Sequence, residues 1–180
     1  MTRLSRPFQL AAVLAAILLL SAGLSLTGCS KVAQTQASYR MGEAMRVGPF
    51  VYNVLESQWK TELGDMFQMR VPQNRFLLLR LTVTNSGGGE MVMPLLNLED
   101  SQGNTFPELQ DGQGITGWMG LLRSVPAAQT EEGWIAFDVP TNAYTLRLSD
   151  GGEADAEKTL LVDIPLSMDS LNDVVPAKAP

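Results

Sequence analysis

The run Arg75-Phe-Leu-Leu-Leu-Arg-Leu-Thr-Val-Thr-Asn85 decides the fold that we predict for this chain. One face carries apolar side chains only, at Leu77, Leu79, Leu81 and Val83. The other face mixes apolar and polar side chains: Phe76, Leu78, Arg80, Thr82 and Thr84. This alternation predicts a β-strand with one face in a core and the other partly in water.

Shorter alternating runs surround this strand, and Gly-rich turns separate them. They cover residues 50–55, 91–99, 133–139, 144–149 and 160–164, with a brief strand at 105–106 and an edge or kink at Pro94. Residues 56–74 lack the alternation and are predicted to form a loop with one short turn of helix. About seven short strands predict an all-β fold, an antiparallel immunoglobulin-like β-sandwich over residues 45–166.

An export signal precedes this domain. Arg3 and Arg6 are followed by an apolar stretch over 8–26, and Leu26-Thr27-Gly28-Cys29 resembles the lipobox of bacterial lipoproteins. Residues 1–28 are therefore expected to be a lipoprotein signal peptide. The resemblance implies that Cys29 receives lipid and becomes the new N-terminus. An uncleaved transmembrane anchor is the alternative, because about 20 apolar residues can span a bilayer.

The segments that flank the domain are polar. Residues 29–44 are expected to be the acylated cysteine with a flexible tether, and residues 167–180 a polar C-terminal tail. Ser30 follows the cysteine where an aspartate commonly signals retention at the inner membrane. This favours the outer membrane, with the domain facing the periplasm or the surface.

Composition excludes several kinds of function. The chain of 180 residues has no histidine and a single cysteine, so zinc sites built from histidine and cysteine and histidine-based catalytic triads are absent. Removal of residues 1–28 leaves 11 basic and 19 acidic residues, a formal charge of −8. Nucleic acids and anionic membrane surfaces are therefore poor partners, and the lipid on Cys29 must hold the protein at the membrane.

The Gly-rich stretch 107–123 is the candidate partner-binding loop, with Ile115, Trp118, Met119 and Leu121 as its contact residues. It is too long for an ordinary hairpin connection, and long loops are often functional. Its apolar side chains either form an exposed patch or fold back over one open end of the sandwich. The segment 56–69, with Trp59, carries the same two interpretations.

Other kinds of site are weakly supported. Two acidic clusters lack the spacing of a calcium loop: Glu99, Asp100, Asn104 and Asp111, and Asp150, Glu153, Asp155 and Glu157. The methionine pairs 41/45, 66/69 and 91/93 could bind copper(I) but suit core packing better. No carboxylate pair stands in a catalytic motif. No cofactor is expected.

The order of motifs resembles a bacterial domain of unknown function. An apolar strand ends at Asn85, the stretch Leu96–Phe106 holds a Leu-x-Asp-x-x-Gly turn, and Pro126, Gly133, Phe137, Val139 and Pro140 follow in order. Pro126-Ala127-Ala128 departs from the commoner Pro-Gly-Glu form. The resemblance implies an immunoglobulin-like sandwich, often carried on an exported lipoprotein, and no known activity.

These observations predict a lipid-anchored, non-enzymatic envelope protein that binds another envelope component, a protein in the first instance. A small-ligand or calcium-binding accessory lipoprotein is the alternative. A hydrolase that uses carboxylates is a third candidate.

Overall fold

The computed structural model describes residues 38–166, and the signal peptide, Cys29 and the C-terminal tail lie outside this range. The described chain is built from eleven strands and contains no helix. The strands are β1 (Ser38–Arg40), β2 (Met45–Val47), β3 (Phe50–Lys60), β4 (Arg75–Asn85), β5 (Met91–Met93), β6 (Asn97–Glu99), β7 (Thr105–Pro107), β8 (Arg123–Val125), β9 (Thr130–Val139), β10 (Tyr144–Ser149) and β11 (Thr159–Ile164).

Two sheets form the sandwich, and a small ribbon lies beside them. One sheet has the order β1-β11-β10-β6-β7, the other has the order β2-β3-β4-β9, and β5 pairs with β8. All pairs are antiparallel except that of β1 with β11. The predicted β-sandwich is thus confirmed. The strand number exceeds seven because six of the eleven strands have only three residues.

The core lies between the two large sheets, and β4 supplies its centre. Leu77, Leu79, Leu81 and Val83, the predicted inner face, are completely buried. They meet Leu98, Leu146 and Val162 of the opposite sheet in one apolar cluster. Burial of each such side chain contributes about 1.5–3 kcal/mol, so this interface dominates the stability of the fold.

The loop predicted for residues 56–74 begins later than expected, because β3 continues to Lys60. The pairing of β3 with β4 shifts between Val54 and Glu56, which leaves Leu55 as a bulge residue. A bulge inserts one residue and reverses the phase of the alternation. Trp59 is therefore buried although Phe50, Tyr52 and Val54 occupy even positions. The predicted turn of helix is absent from residues 56–74.

Pro94 marks a change of sheet inside the predicted strand 91–99. Residues before it form β5, which pairs with β8, and residues after it form β6 in the five-stranded sheet. Proline has no N–H for a ladder hydrogen bond, so the chain leaves one sheet there and joins another. The strand β8 was not predicted.

The strand β1 lies inside the segment 29–44, which was predicted to be a flexible tether. Ser38, Tyr39 and Arg40 pair in parallel with Leu161, Val162 and Asp163. Tyr39 packs against the core, which gives this polar stretch an apolar contact. Residues 38–40 of the predicted tether are therefore part of the sandwich, and residues 29–37 lie outside the described range. Within residues 38–166, no helix is long and apolar enough to cross a membrane.

A second, smaller apolar cluster lies on the outer face of the four-stranded sheet. Phe76 and Leu78, predicted to be partly wet, are buried there with Leu63 and Ala136. The loop between β7 and β8 covers them, and its Ile115 and Leu109 pack against this cluster. Only the other half of that face, at Thr82 and Thr84, stays partly in water.

Candidate functional site

A groove of about 660 Å³ lies on the outer face of the four-stranded sheet. One wall is the end of β3 with the first residues of the loop that follows it, and the other is the loop between β7 and β8. Its lining includes Gln58, Lys60, Glu62, Arg75, Leu78, Ile115, Thr116 and Trp134. We call this feature the outer groove.

The register of the sheet brings these side chains together. Leu78 is paired with Gln58 of β3 and with Ala136 of β9, and one step away Arg80 is paired with Glu56 and with Trp134. Alternation sends every second side chain to the same face. Leu78 and Trp134 therefore supply apolar surface, and the polar ends of Gln58 and Lys60 border it.

Arg80 lies at the centre of this outer face and contacts side chains on both neighbouring strands. Its guanidinium lies 3.1 Å from a Glu56 carboxylate oxygen and 3.0 Å from one of Glu132. It also stands 6.0 Å from the centre of the Trp134 ring, within the range of a cation–π contact. These contacts fix Trp134 beside the outer groove.

Two cations of the outer groove lack such partners. Lys60 and Arg75 form no ion pair within residues 38–166, and the Arg75 Nε is buried without a hydrogen-bond acceptor. Glu62 is the one acidic residue of the lining. The outer groove thus has a local excess of positive charge in a chain of net charge −6.

The two loops that form the walls are in direct contact. The Arg70 guanidinium donates to the Asp111 carbonyl oxygen at 2.9 Å and lies 3.6 Å from an Asp111 carboxylate oxygen. A Cβ on Gly114 would stand 2.4 Å from the Gly64 nitrogen, so the backbones meet where no side chain fits. This contact closes one end of the outer groove.

The four residues predicted as a partner-binding patch are distributed over different environments. Ile115 lines the outer groove. Trp118 is half-buried and lies against Gly112, and Met119 packs against the main core. Leu121 is 42% exposed. The backbone of 117–119 pairs with Trp134, which covers part of the β9 edge.

The most exposed apolar run lies elsewhere, in the loop between β3 and β4. Met66, Phe67, Met69 and Val71 are 86%, 87%, 60% and 69% exposed. We call residues 66–71 the hairpin tip. The sequence leaves two interpretations for the segment 56–69, because Asp65 and Gln68 interrupt its apolar residues and no period indicates which of these face water.

Carboxylates of the two acidic clusters accept hydrogen bonds within their own turns. Asp100 accepts hydrogen bonds from the backbone N–H of Gln102 and Asn104 and from the Asn104 side chain. These bonds, above all the one from the side chain, lower the pKa of Asp100. Asp150 accepts from Gly152 and Lys158 in the same way. Within residues 38–166 no three acidic or cysteine side chains converge to hold a metal ion.

Of the remaining predicted sites, the methionine pair on β5 is split between a buried Met93 and a partly buried Met91, both packed against the core. The lipobox Leu26, Thr27 and Gly28 and the lipid-bearing Cys29 lie outside the described residues.

The comparison with protein families decides what this sandwich is. The family described as a domain of unknown function, DUF4352, matches residues 39–158. The chain belongs to the DUF4352 family. The match begins within β1 and ends just before β11. The comparison with curated proteins found no match.

Solved structures share the fold of this DUF4352 domain. The yjhA protein of Bacillus subtilis is 14% identical, with 70% of this chain and 98% of that chain covered and a TM-score of 0.55. A functionally unknown protein of Listeria monocytogenes EGD-e is 9% identical, with 72% and 85% covered and a TM-score of 0.53. A proposed lipoprotein of Bacillus subtilis, ycdA, is 12% identical, with 72% and 39% covered and a TM-score of 0.51. At these identities the likeness concerns the fold alone.

The structure explains the asparagine with which β4 ends. Asn85 is completely buried at the end of β4. Its amide nitrogen donates to the carbonyl oxygens of Gly89 at 2.7 Å and Val125 at 2.8 Å, and its side-chain oxygen accepts from the Gly87 N–H. The asparagine thus fastens the turn after β4 to β8.

Proposed function

We propose that this DUF4352 protein is a lipid-anchored, non-enzymatic binding protein of the cell envelope, whose outer groove takes a segment of another envelope protein. The anchor is the lipid on Cys29, implied by the lipobox. The outer membrane, facing the periplasm or the surface, is the proposed location.

The outer groove is the observation that carries the binding proposal. Its size falls within the range of ligand pockets, and it combines an apolar floor at Leu78, an aromatic wall at Trp134 and polar groups at its border. The cations Lys60 and Arg75 have no acidic partner among the described residues. These features favour a polypeptide segment with an apolar side chain and a nearby carboxylate.

Site-specific crosslinking in the native membrane tests the proposal. A photoreactive residue at Thr116, exposed at the border of the outer groove, should yield one discrete crosslinked protein that mass spectrometry identifies. The same residue at Val92, which is 59% exposed on β5, should not yield that product. Equal products from both positions would contradict the proposed groove.

Charge reversal provides the matched control. Lys60→Glu should reduce the Thr116 crosslink, because it places an acidic group where the partner's carboxylate is expected. Lys158→Glu makes the same change at an exposed lysine outside the outer groove and should leave the crosslink intact. Mass spectrometry of the mature N-terminus tests the anchor separately, and an uncleaved chain with a free Cys29 thiol would refute it.

A further inference from the structure

We infer that the hairpin tip inserts into the interface of a lipid bilayer, beside the lipid on Cys29. The inference rests on the lipid anchor of the proposed function, but it concerns a surface separate from the outer groove. None of residues 66–71 lines that groove.

The composition of the hairpin tip suits an interfacial environment. Four of its six residues are apolar and mostly exposed, at Met66, Phe67, Met69 and Val71. Contiguous exposed apolar surface marks an interaction site, because a protein in water gains nothing by displaying it. Arg70, the single cation of the hairpin tip, turns back over the Phe76 ring at 5.3 Å and toward Asp111. Its charge is therefore withdrawn from the apolar end.

Hydrogen bonds within the loop satisfy several of its backbone polar groups, which suits a poorly hydrated environment. The Asp65 carboxylate accepts hydrogen bonds from the N–H groups of Phe67 at 2.8 Å and Gln68 at 3.0 Å. Leu63 and Arg70 exchange both backbone hydrogen bonds at the base, at 2.9 and 2.8 Å. Unsatisfied backbone groups are costly in lipid, and these bonds remove much of that cost. They also hold the apolar side chains outward on a fixed turn.

The end of β1 and the base of the loop that carries the hairpin tip lie at the same end of the sandwich. Trp59, next to the last residue of β3, has its ring 6.4 Å from Tyr144, and Tyr144 pairs with Ile164 at the end of β11. Arg40 of β1 pairs with the preceding residue, Asp163, so β1 ends where the hairpin begins. Ser38 is two residues, about 7 Å, before Arg40.

The length of chain outside the structure limits how far the membrane can be. Nine residue steps join Cys29 to Ser38, which span at most about 30 Å. A lipid on Cys29 therefore keeps a bilayer surface within that distance of Ser38, where the described domain begins.

Electrostatics plays no favourable part in this contact. The mature chain carries a formal charge of −8, so an anionic surface repels it. Insertion through apolar side chains predicts contact with zwitterionic phosphatidylcholine vesicles at least as strong as with vesicles that contain phosphatidylglycerol.

A single fluorescent label tests the inference. Cys29 is the only cysteine, and acylation consumes its thiol, so Phe67→Cys gives the acylated full chain one labelling site. In phosphatidylcholine vesicles, an environment-sensitive dye at position 67 should shift its emission to the blue and be quenched by nitroxide-labelled lipids. The same dye on Val92→Cys, also well exposed, should show neither change.

Each contrary result has a distinct meaning. Equal, water-like emission at positions 67 and 92 in vesicles overturns the inference while the acylated anchor stands. Shielding at position 67 in native membranes but not in pure lipid vesicles assigns the hairpin tip to a protein partner and also overturns it. A free Cys29 thiol, detected by mass spectrometry before labelling, refutes the proposed anchor itself.

Discussion

The Arg123 guanidinium donates two hydrogen bonds to the Glu108 carboxylate, at 2.9 and 3.1 Å, in the interior of the protein. Their side chains are 2% and 0% exposed. Glu108 also accepts from the Leu96 N–H, and Arg123 donates to the Pro94 carbonyl oxygen. Burial raises the pKa of Glu108, and the neighbouring guanidinium offsets part of that rise. The pair ties both ends of the loop between β7 and β8 to the connection between β5 and β6.

Removal of one partner should be far more damaging than removal of both. Glu108→Ala leaves the Arg123 charge buried and uncompensated, which lowers the free energy of unfolding by about 3–5 kcal/mol. Chemical denaturation measures this loss. Glu108→Leu combined with Arg123→Met should retain more stability than Glu108→Ala, because no buried charge remains.

An exposed ion pair serves as the control for this prediction. Glu99→Ala breaks the contact with Arg147, whose side chain is 43% exposed, and should cost less than about 1 kcal/mol. A loss from Glu108→Ala no larger than that from Glu99→Ala would mean that the buried pair is not formed in solution.

The alternation of side chains made β4 and its neighbours predictable, since the period of two is a local property of the sequence. The alternation does not predict the structure at positions where an irregularity interrupts it. The bulge at Leu55 shifted Trp59 to the core face, and the pattern after it no longer looked like a strand. The pair Glu108–Arg123 joins positions 15 residues apart across a Gly-rich loop, a separation that no periodicity encodes.

The candidate site was only partly predictable for a related reason. The length of the stretch 107–123 predicts a candidate binding loop, and its Ile115 does line the outer groove. The other wall, at Gln58 and Lys60, belongs to the part of β3 where the sequence predicts a loop. Exposure at Phe67 depends on the hydrogen bonds of Asp65 and on contact with the loop 107–123, so it follows from tertiary structure rather than from composition.

Asn85 offers a test of the turn that follows β4. Asn85→Ala removes three hydrogen bonds and leaves the buried Val125 carbonyl without that donor. We expect a loss of about 2–3 kcal/mol in the free energy of unfolding, measured by urea titration. Asn142→Ala, at an exposed position with one local hydrogen bond, should change it by less than about 0.5 kcal/mol. If both substitutions lowered the free energy of unfolding equally, Asn85 would not hold the turn after β4 to β8.

The turn at Asp100 should make stability depend on acid. Hydrogen bonds to its ionised carboxylate, led by that from the Asn104 side chain, hold the pKa of Asp100 below its ordinary value of 3.8. A lowered pKa in the folded state contributes stability above pH 3.8, and this contribution is lost as the pH falls through the folded-state pKa. The advantage of the wild-type chain over Asp100→Asn should therefore shrink in acid. Urea midpoints of both chains from neutral pH downward measure it, and a constant gap would contradict the assignment.

Gly112 and Trp118 determine whether the loop 107–123 stays folded over the sheet. A Cβ on Gly112 would lie only 1.9 Å from the Trp118 ring, so Gly112→Ala must displace the indole or the backbone. Such overpacking costs about 1–3 kcal/mol, whereas Gly88→Ala, with no atom within 4 Å of the added carbon, should cost much less.

The double variant separates this contact from a general effect on the loop. In Gly112→Ala/Trp118→Ala the ring is gone, so the added methyl group meets no obstacle, and the two losses should not add. Denaturation of the four chains gives the coupling energy of the pair. If the indole instead points into water and forms an exposed patch, Gly112→Ala should behave like Gly88→Ala and the coupling should vanish. The cycle thus decides in solution between the two interpretations of this loop that the sequence leaves open.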